Sequence, residues 1–124
     1  MSFKKIDRSE VLLIRYCQET ISDMEILNRA LQAEAASGKA RDTILELPGA
    51  TVIYSTEIGI IVQFLKTLPG TGRTLRLVAS NYVCEMLKTM NIHRIPNIVL
   101  YNTLDEVLGC FKNVDFDVDF DVDF

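Results

Sequence analysis

Strand-like and helix-like segments alternate along this chain, and that alternation limits its possible folds more than any other feature. Branched apolar residues at positions 11–17 are typical of a buried strand, and apolar residues at helical spacing follow from Ile26 to Ala35. Further strands are predicted at 43–47, 74–79 and 97–101, and further helices at 55–68, after Ser80 and from Thr103. Because parallel strands are joined by helical crossovers, we predict an α/β fold with a mainly parallel sheet of about four to five strands and about four helices.

The segment 114–124 differs in kind from the rest of the chain. Val or Phe occupies each of its even positions and Asp each of its odd positions. We predict one domain at residues 1–113 and a low-complexity tail at 114–124, with disorder favoured because its aspartates repel one another in stacked strands. As a strand, alternatively, the tail would have one apolar and one acidic face and could add to a sheet edge of this chain or of a partner.

Charge is nearly balanced over the predicted domain. The formal net charge is −4, but five of the 17 acidic residues are the aspartates of the tail, so that 12 acidic residues remain beside 13 basic ones in residues 1–113. A nucleic-acid-binding domain needs Lys and Arg clustered on one face, and the near-neutral body shows no such excess. We therefore predict no nucleic-acid partner.

The cysteines and the apolar runs indicate the compartment. Cys17, Cys84 and Cys110 are odd in number and far apart, which favours small apolar residues in a reducing environment over disulfides or a metal site. No apolar run approaches the ~20 residues of a membrane span, and the polar first residues are not followed by a signal-peptide core. We predict a cytoplasmic protein without membrane insertion.

Residues that could support catalysis are few. His93 is the only histidine, and no local motif joins it to a serine and an acid. The Gly70–Gly72 loop leaves a helix and enters a strand, the reverse of a phosphate-binding loop. No carboxylate pair stands out within the domain. We therefore predict a protein that is not an enzyme and that holds no cofactor and no metal.

The most informative stretch begins at Val52, where an apolar strand is expected to run directly into a helix that opens with Ser55 and Thr56. It resembles the STAS (sulfate transporter and anti-sigma factor antagonist) domains of bacterial anti-sigma factor antagonists, in which this helix opens with Asp-Ser-(Ser or Thr)-Gly-Leu-Gly. Ser55, Thr56, Ile58 and Gly59 match or nearly match that motif. Tyr54 stands in place of the family's Asp, and Glu57 in place of its first Gly. The resemblance extends from the first predicted strand to Phe111.

The resemblance implies a regulatory, protein-binding function. In that family the Ser of the motif is phosphorylated by a partner kinase that is also the anti-sigma factor, and phosphorylation breaks the complex. By motif position the phosphoacceptor here is Ser55. The implied partner-binding residues form one continuous stretch: Tyr54, Ser55, Thr56, Glu57, Ile58 and Gly59. The alternative from the residues themselves is that Ser55 or Thr56 only caps the helix.

The same resemblance is compatible with a second function. The chain could be the STAS accessory subunit of a lipid-transporting ABC system, in which the same surface would hold an ATPase subunit permanently. The replacement of Asp by Tyr54 and of Gly by Glu57 is compatible with this alternative, because a permanent interface does not require phosphorylation.

Overall fold

The described part of the chain contains six strands, which form a single sheet. The computed structural model describes residues 3–17, 21–48, 52–111 and 122–123. The strands are β1 (Phe3–Asp7), β2 (Val11–Tyr16), β3 (Asp42–Glu46), β4 (Leu75–Val78), β5 (Ile98–Tyr101) and β6 (Val122–Asp123). Their order is β5-β4-β3-β2-β1-β6, with β2 to β5 parallel and β1 antiparallel to both of its neighbours. The predicted mainly parallel α/β fold is confirmed, with more strands than expected.

The additional strand β1 forms a hairpin with β2. Their register places Phe3 opposite Tyr16 and Asp7 opposite Leu12, and the Arg8 N–H donates to the Val11 carbonyl at 3.0 Å in the connecting turn. Lys4 and Lys5 precede the buried Ile6 in β1, and these two charged residues hide the alternation expected of a half-buried strand.

Helices cover both faces of the sheet. They are α1 (Ile21–Ala36), α2 (Ser55–Leu65), α3 (Asn81–Thr89) and α4 (Leu104–Leu108), with a 3-10 turn at Ile92–Arg94. Ser80 caps α3 by accepting from the Val83 N–H at 3.2 Å. Residues 52–54 are not part of a strand, in contrast to the expected strand before α2, because β3 already ends at Glu46. No helix in the described ranges is long and apolar enough to cross a bilayer.

Alternating side chains of the strands supply two cores. Leu12, Ile14, Leu45 and Leu77 pack with α1, α2 and α3 on one face, which we call the helix face. On the second face, smaller in its apolar content, Val11, Leu13, Ile44 and Val78 pack with Val107 of α4. Burial on both faces is the reason that β2 and β3 read as continuous apolar runs.

A buried ion cluster ties the end of α1 to the start of the sheet. The Arg41 guanidinium donates to both carboxylate oxygens of Glu34 at 2.8 Å, and its side chain and that of Glu34 are 3% and 4% exposed. Arg41 also donates to the Asp7 carboxylate and to the Arg8 carbonyl. Charges so deeply buried require paired, hydrogen-bonded geometry, which this cluster provides.

Part of the tail lies in the sheet. Val122 pairs with Lys5 and Asp123 with Lys4, so that β6 is an antiparallel edge strand beside β1. Residues 112–121 and 124, and with them most of the predicted tail, lie outside the described residues, so the predicted disorder of the tail stays a prediction.

Candidate functional site

The carboxyl ends of the parallel strands define one edge of the molecule, and the helices that follow them begin there. β3 leads to α2 and β4 leads to α3, and β3 and β4 are neighbours in the sheet. The N-terminal ends of α2 and α3 therefore lie side by side at this edge, which is the usual position of functional sites in parallel sheets. We call this surface the carboxyl edge.

Ser55 and Thr56 are the first two residues of α2, and both are exposed. The N-cap is Tyr54, with an extended backbone (φ −89°, ψ 156°), and its side chain makes no capping hydrogen bond. The interpretation that Ser55 or Thr56 serves as the N-cap is therefore wrong. Both hydroxyls remain accessible at a helix start whose cap residue supplies no side-chain acceptor.

Glu57 is turned inward and stabilises the same helix start. Its side chain is 4% exposed, and its carboxylate accepts a hydrogen bond from the Tyr54 N–H at 2.9 Å. This is the backward half of a capping box. Negative charge in the first turn is also favoured by the helix dipole, by about 0.3–1 kcal/mol for an exposed group. Glu57 therefore does the capping that the two hydroxyl residues do not.

Beneath α2, the Glu57 carboxylate approaches Tyr16 at the end of β2. Burial raises the pKa of the Tyr16 phenol well above its usual range, and the neighbouring carboxylates of Glu57 and Asp23 raise it further. Asp23, in the first turn of α1, is 6% exposed. Two buried carboxylates and one neutral phenol thus lie under the carboxyl edge, out of reach of a docking protein.

The predicted contact stretch divides into an outer and an inner set. Tyr54, Ser55, Thr56 and Gly59 are exposed, whereas Glu57 and Ile58 are buried, Ile58 at 9%. Glu57 and Ile58, both among the predicted contact residues, are buried because the helical period carries positions 57, 58, 61 and 65 onto the core. Partner contact by the whole stretch stays a prediction.

Exposed apolar side chains at the carboxyl edge add to this outer set. Val52, Tyr54 and Tyr82 are 49%, 52% and 65% exposed. Tyr82 is the second residue of α3, and no motif in the sequence indicates it. Met90, which follows the end of α3 at Thr89, is also 49% exposed but lies at the other end of that helix.

Several solved structures share this architecture, and anti-sigma factor antagonists are among them. A Thermotoga maritima protein assigned as an anti-sigma factor antagonist is 23% identical, has a TM-score of 0.71, and matches 90% of this chain and 95% of its own. An anti-sigma-factor antagonist (STAS) domain protein of Planctomyces limnophilus is 18% identical at a TM-score of 0.71, over 90% and 98% of the two chains.

The Bacillus cell fate determinant SpoIIAA in its phosphorylated form is 17% identical at a TM-score of 0.62, over 88% of this chain and 98% of its own. No protein-family model and no curated protein matches the sequence. The chain thus has the STAS fold of the anti-sigma factor antagonists.

Proposed function

We propose that this chain is a cytoplasmic, non-enzymatic regulatory module that binds a kinase-like anti-sigma factor through its carboxyl edge and is released when Ser55 is phosphorylated. The observation that carries the proposal is the exposed Ser55 hydroxyl at the first position of α2, in a fold shared with an anti-sigma factor antagonist whose phosphorylated form is known. Thr56, one position further along, also exposes a hydroxyl group, and the proposal assigns the phosphate to Ser55 and not to Thr56.

The helix start would accept a phosphate without unfolding. A phosphate adds about 1.5–2 negative charges at neutral pH, and free N–H groups at a helix N-terminus favour negative charge. Since the Tyr54 side chain does not cap α2, the first N–H groups are not already taken by that residue. Phosphate on Ser55 would therefore change the charge and shape of the interface while leaving the fold in place.

Tyr54 and Glu57 differ from the Asp and Gly of the family motif, and these differences alter the proposed site without removing it. Glu57 keeps its carboxylate on the Tyr54 N–H, so that its charge lies inside the molecule and not on the docking surface. Tyr54 instead presents an aromatic ring to the partner at 52% exposure. Tyrosine supplies a large contact area at a small cost in side-chain entropy and is enriched in binding hot spots.

A second candidate is favoured by the same aromatic side chains. Val52, Tyr54 and Tyr82 give the carboxyl edge an apolar character that a permanent interface would use. The chain would then be the STAS subunit of a lipid-transporting ABC system and would hold its ATPase subunit whether or not Ser55 carries phosphate.

Purification of partners from the native host, followed by a kinase assay, tests the proposal. The recovered partner should be an ATPase of the serine-kinase type, and ATP should lead to phosphate on Ser55 as located by peptide mass spectrometry. Ser55→Ala should abolish the modification, whereas Ser9→Ala, which removes an exposed hydroxyl in the turn between β1 and β2, away from the carboxyl edge, should leave it unchanged. A transporter ATPase as the partner would favour the second candidate, and phosphate on Thr56 alone would contradict the assignment.

A further inference from the structure

The strand β5 ends the sheet on the side opposite to β1, and no other strand in the described ranges pairs with its outer side. On its inner side β5 pairs with β4, where the Leu75 N–H donates to the Asn97 carbonyl at 2.8 Å. The backbone N–H and C=O groups of successive residues in a strand point alternately to its two sides. Because Asn97 bonds to β4, the backbone groups of Ile98 and Leu100 point outward.

The side chains of this edge are apolar. The strand β5 has the sequence Ile-Val-Leu-Tyr, without a charged residue. Ile98 and Leu100 pack on the helix face, whereas Val99 points to the second face and is 41% exposed. Soluble proteins commonly protect edge strands with Lys, with Pro or with a covering segment, because an open edge pairs with other strands. At the other end of the sheet, β1 carries Lys4 and Lys5 and is paired with β6.

One antiparallel register of β5 with a second copy of itself pairs all of its outward groups. A two-fold axis at Val99 places Ile98 of each copy opposite Leu100 of the other, and each such pair exchanges two N–H···O=C bonds. With the axis at Ile98, Leu100 would face Pro96, which has no N–H. With the axis at Leu100, Ile98 would face Asn102, beyond the end of the strand. The register centred on Val99 is therefore the best match.

The charges at the two ends of β5 favour the same antiparallel orientation. Arg94 lies in the 3-10 turn before the strand, Asp105 and Glu106 lie in the first turn of α4 after it, and all three are exposed. Antiparallel pairing brings the basic end of each β5 towards the acidic end of the other, whereas parallel pairing would bring like charges together. Since Ile92 of the turn packs on the helix face and Val107 of α4 on the second face, these charges orient the copies without forming ion pairs.

We propose that the outer edge of β5 is a dimerisation site, at which two copies of this chain pair antiparallel about a two-fold axis at Val99 and join their sheets into one. A second copy fits better than a strand of another protein, because the register, the apolar side chains and the end charges of β5 are all self-complementary. With only four residues of each strand in the contact, the dimer is weak and forms at high protein concentration. This inference does not depend on the proposed function.

Disulfide trapping in the full chain tests the position of the axis. In the proposed dimer the two copies of Val99 form a non-hydrogen-bonded pair with Cα atoms about 4.5 Å apart, within the range of about 4.4–6.8 Å that a disulfide spans. Val99→Cys, with Cys17 and Cys110 replaced by Ser and the buried Cys84 retained, should therefore give covalent dimers on mild oxidation. Val52→Cys is the matched control, because Val52 is 49% exposed but lies before α2. No cross-linking at Val99, or equal cross-linking at both positions, would overturn the site.

The oligomeric state measured by analytical ultracentrifugation tests the same edge without a covalent bond. The wild-type protein should pass from monomer to dimer as its concentration rises. Val99→Lys should weaken the dimer by roughly tenfold or more, because it sets like charges directly opposite each other at the axis, whereas Val52→Lys should leave the dimer unchanged. Circular dichroism checks that both variants are folded. A wild-type protein that stays monomeric, or a dimer that persists equally in Val99→Lys, would overturn the proposal.

Discussion

The buried carboxylate of Glu57 lies beside the phenol of Tyr16 and at the same time holds the N–H of Tyr54, so that one side chain joins the end of β2 to the start of α2. Both Tyr16 and Glu57 are less than one-twentieth exposed, at 3% and 4%. The position of the helix that presents Ser55 therefore depends on an interaction under the surface.

Tyr16 should make the protein sensitive to alkaline pH. Its pKa is raised in the folded state, so above about pH 10 the unfolded chain loses a proton that the folded chain keeps, and the free energy of unfolding falls as pH rises. Urea denaturation at pH 7 to 11 should show this decline, with a weaker slope in Tyr16→Phe. Glu57→Gln should give an intermediate slope, because burial, the larger cause, remains. An unchanged slope in Tyr16→Phe would refute this assignment.

The Arg41–Glu34 pair should be among the most sensitive points of the fold. Arg41→Met leaves the Glu34 carboxylate buried without its ion partner and should lower the free energy of unfolding by about 3–5 kcal/mol. The control is Arg15→Met, because Arg15 pairs with Glu46 at 2.8 Å but is 40% exposed and should contribute about 0–1 kcal/mol. Chemical denaturation measures both, and similar losses in the two variants would contradict the special role of Arg41.

Ile58 should matter for folding and not for contact with a partner. It is 9% exposed and packs in the core of the helix face, so Ile58→Ala should cost about 2–5 kcal/mol of stability. If the folded fraction is kept constant, partner affinity should be unchanged. Thermal unfolding followed by circular dichroism, together with titration of the partner, separates the two effects. A stable variant with weakened binding would place Ile58 in the interface after all.

Tyr54 and Tyr82 should behave in the opposite way. Each is more than half exposed, so Tyr54→Ala and Tyr82→Ala should change stability by no more than about 0.5 kcal/mol. As aromatic anchors they should weaken partner binding by about 2 kcal/mol or more, roughly thirtyfold in Kd. Met90→Ala is the matched control, because Met90 is an exposed apolar residue after the last turn of α3, away from the carboxyl edge. An equal loss of partner affinity in Met90→Ala would contradict a specific role of the carboxyl edge in binding.

The sequence predicted those elements whose signals are local. The apolar runs of β2 and β3 and the Ser80 cap of α3 could be recognised because each depends on residues close together in the chain. The strand β1 was not predicted because Lys4 and Lys5 interrupt its apolar pattern. The Arg41 cluster joins residues far apart in the chain, from Asp7 to Arg41, and no local pattern indicates it.

The candidate site shows the same division. The position of Ser55 at the start of α2 followed from the motif, whereas the inward turn of Glu57 and Ile58 depends on how α2 rotates against the sheet. Tyr82 belongs to the carboxyl edge because the strand order places α2 and α3 side by side. Residues that meet through sheet order carry no signal in their spacing along the chain.

The most direct measurement is the affinity of the purified partner kinase for this protein before and after stoichiometric phosphorylation, with the modified residue mapped by mass spectrometry. The account predicts tight binding of the unmodified chain, a loss of at least about tenfold (about 1.4 kcal/mol) on phosphorylation of Ser55, and no such loss in Ser55→Ala treated in the same way. Equal affinity of the phosphorylated and unmodified proteins, both folded by circular dichroism, would contradict it.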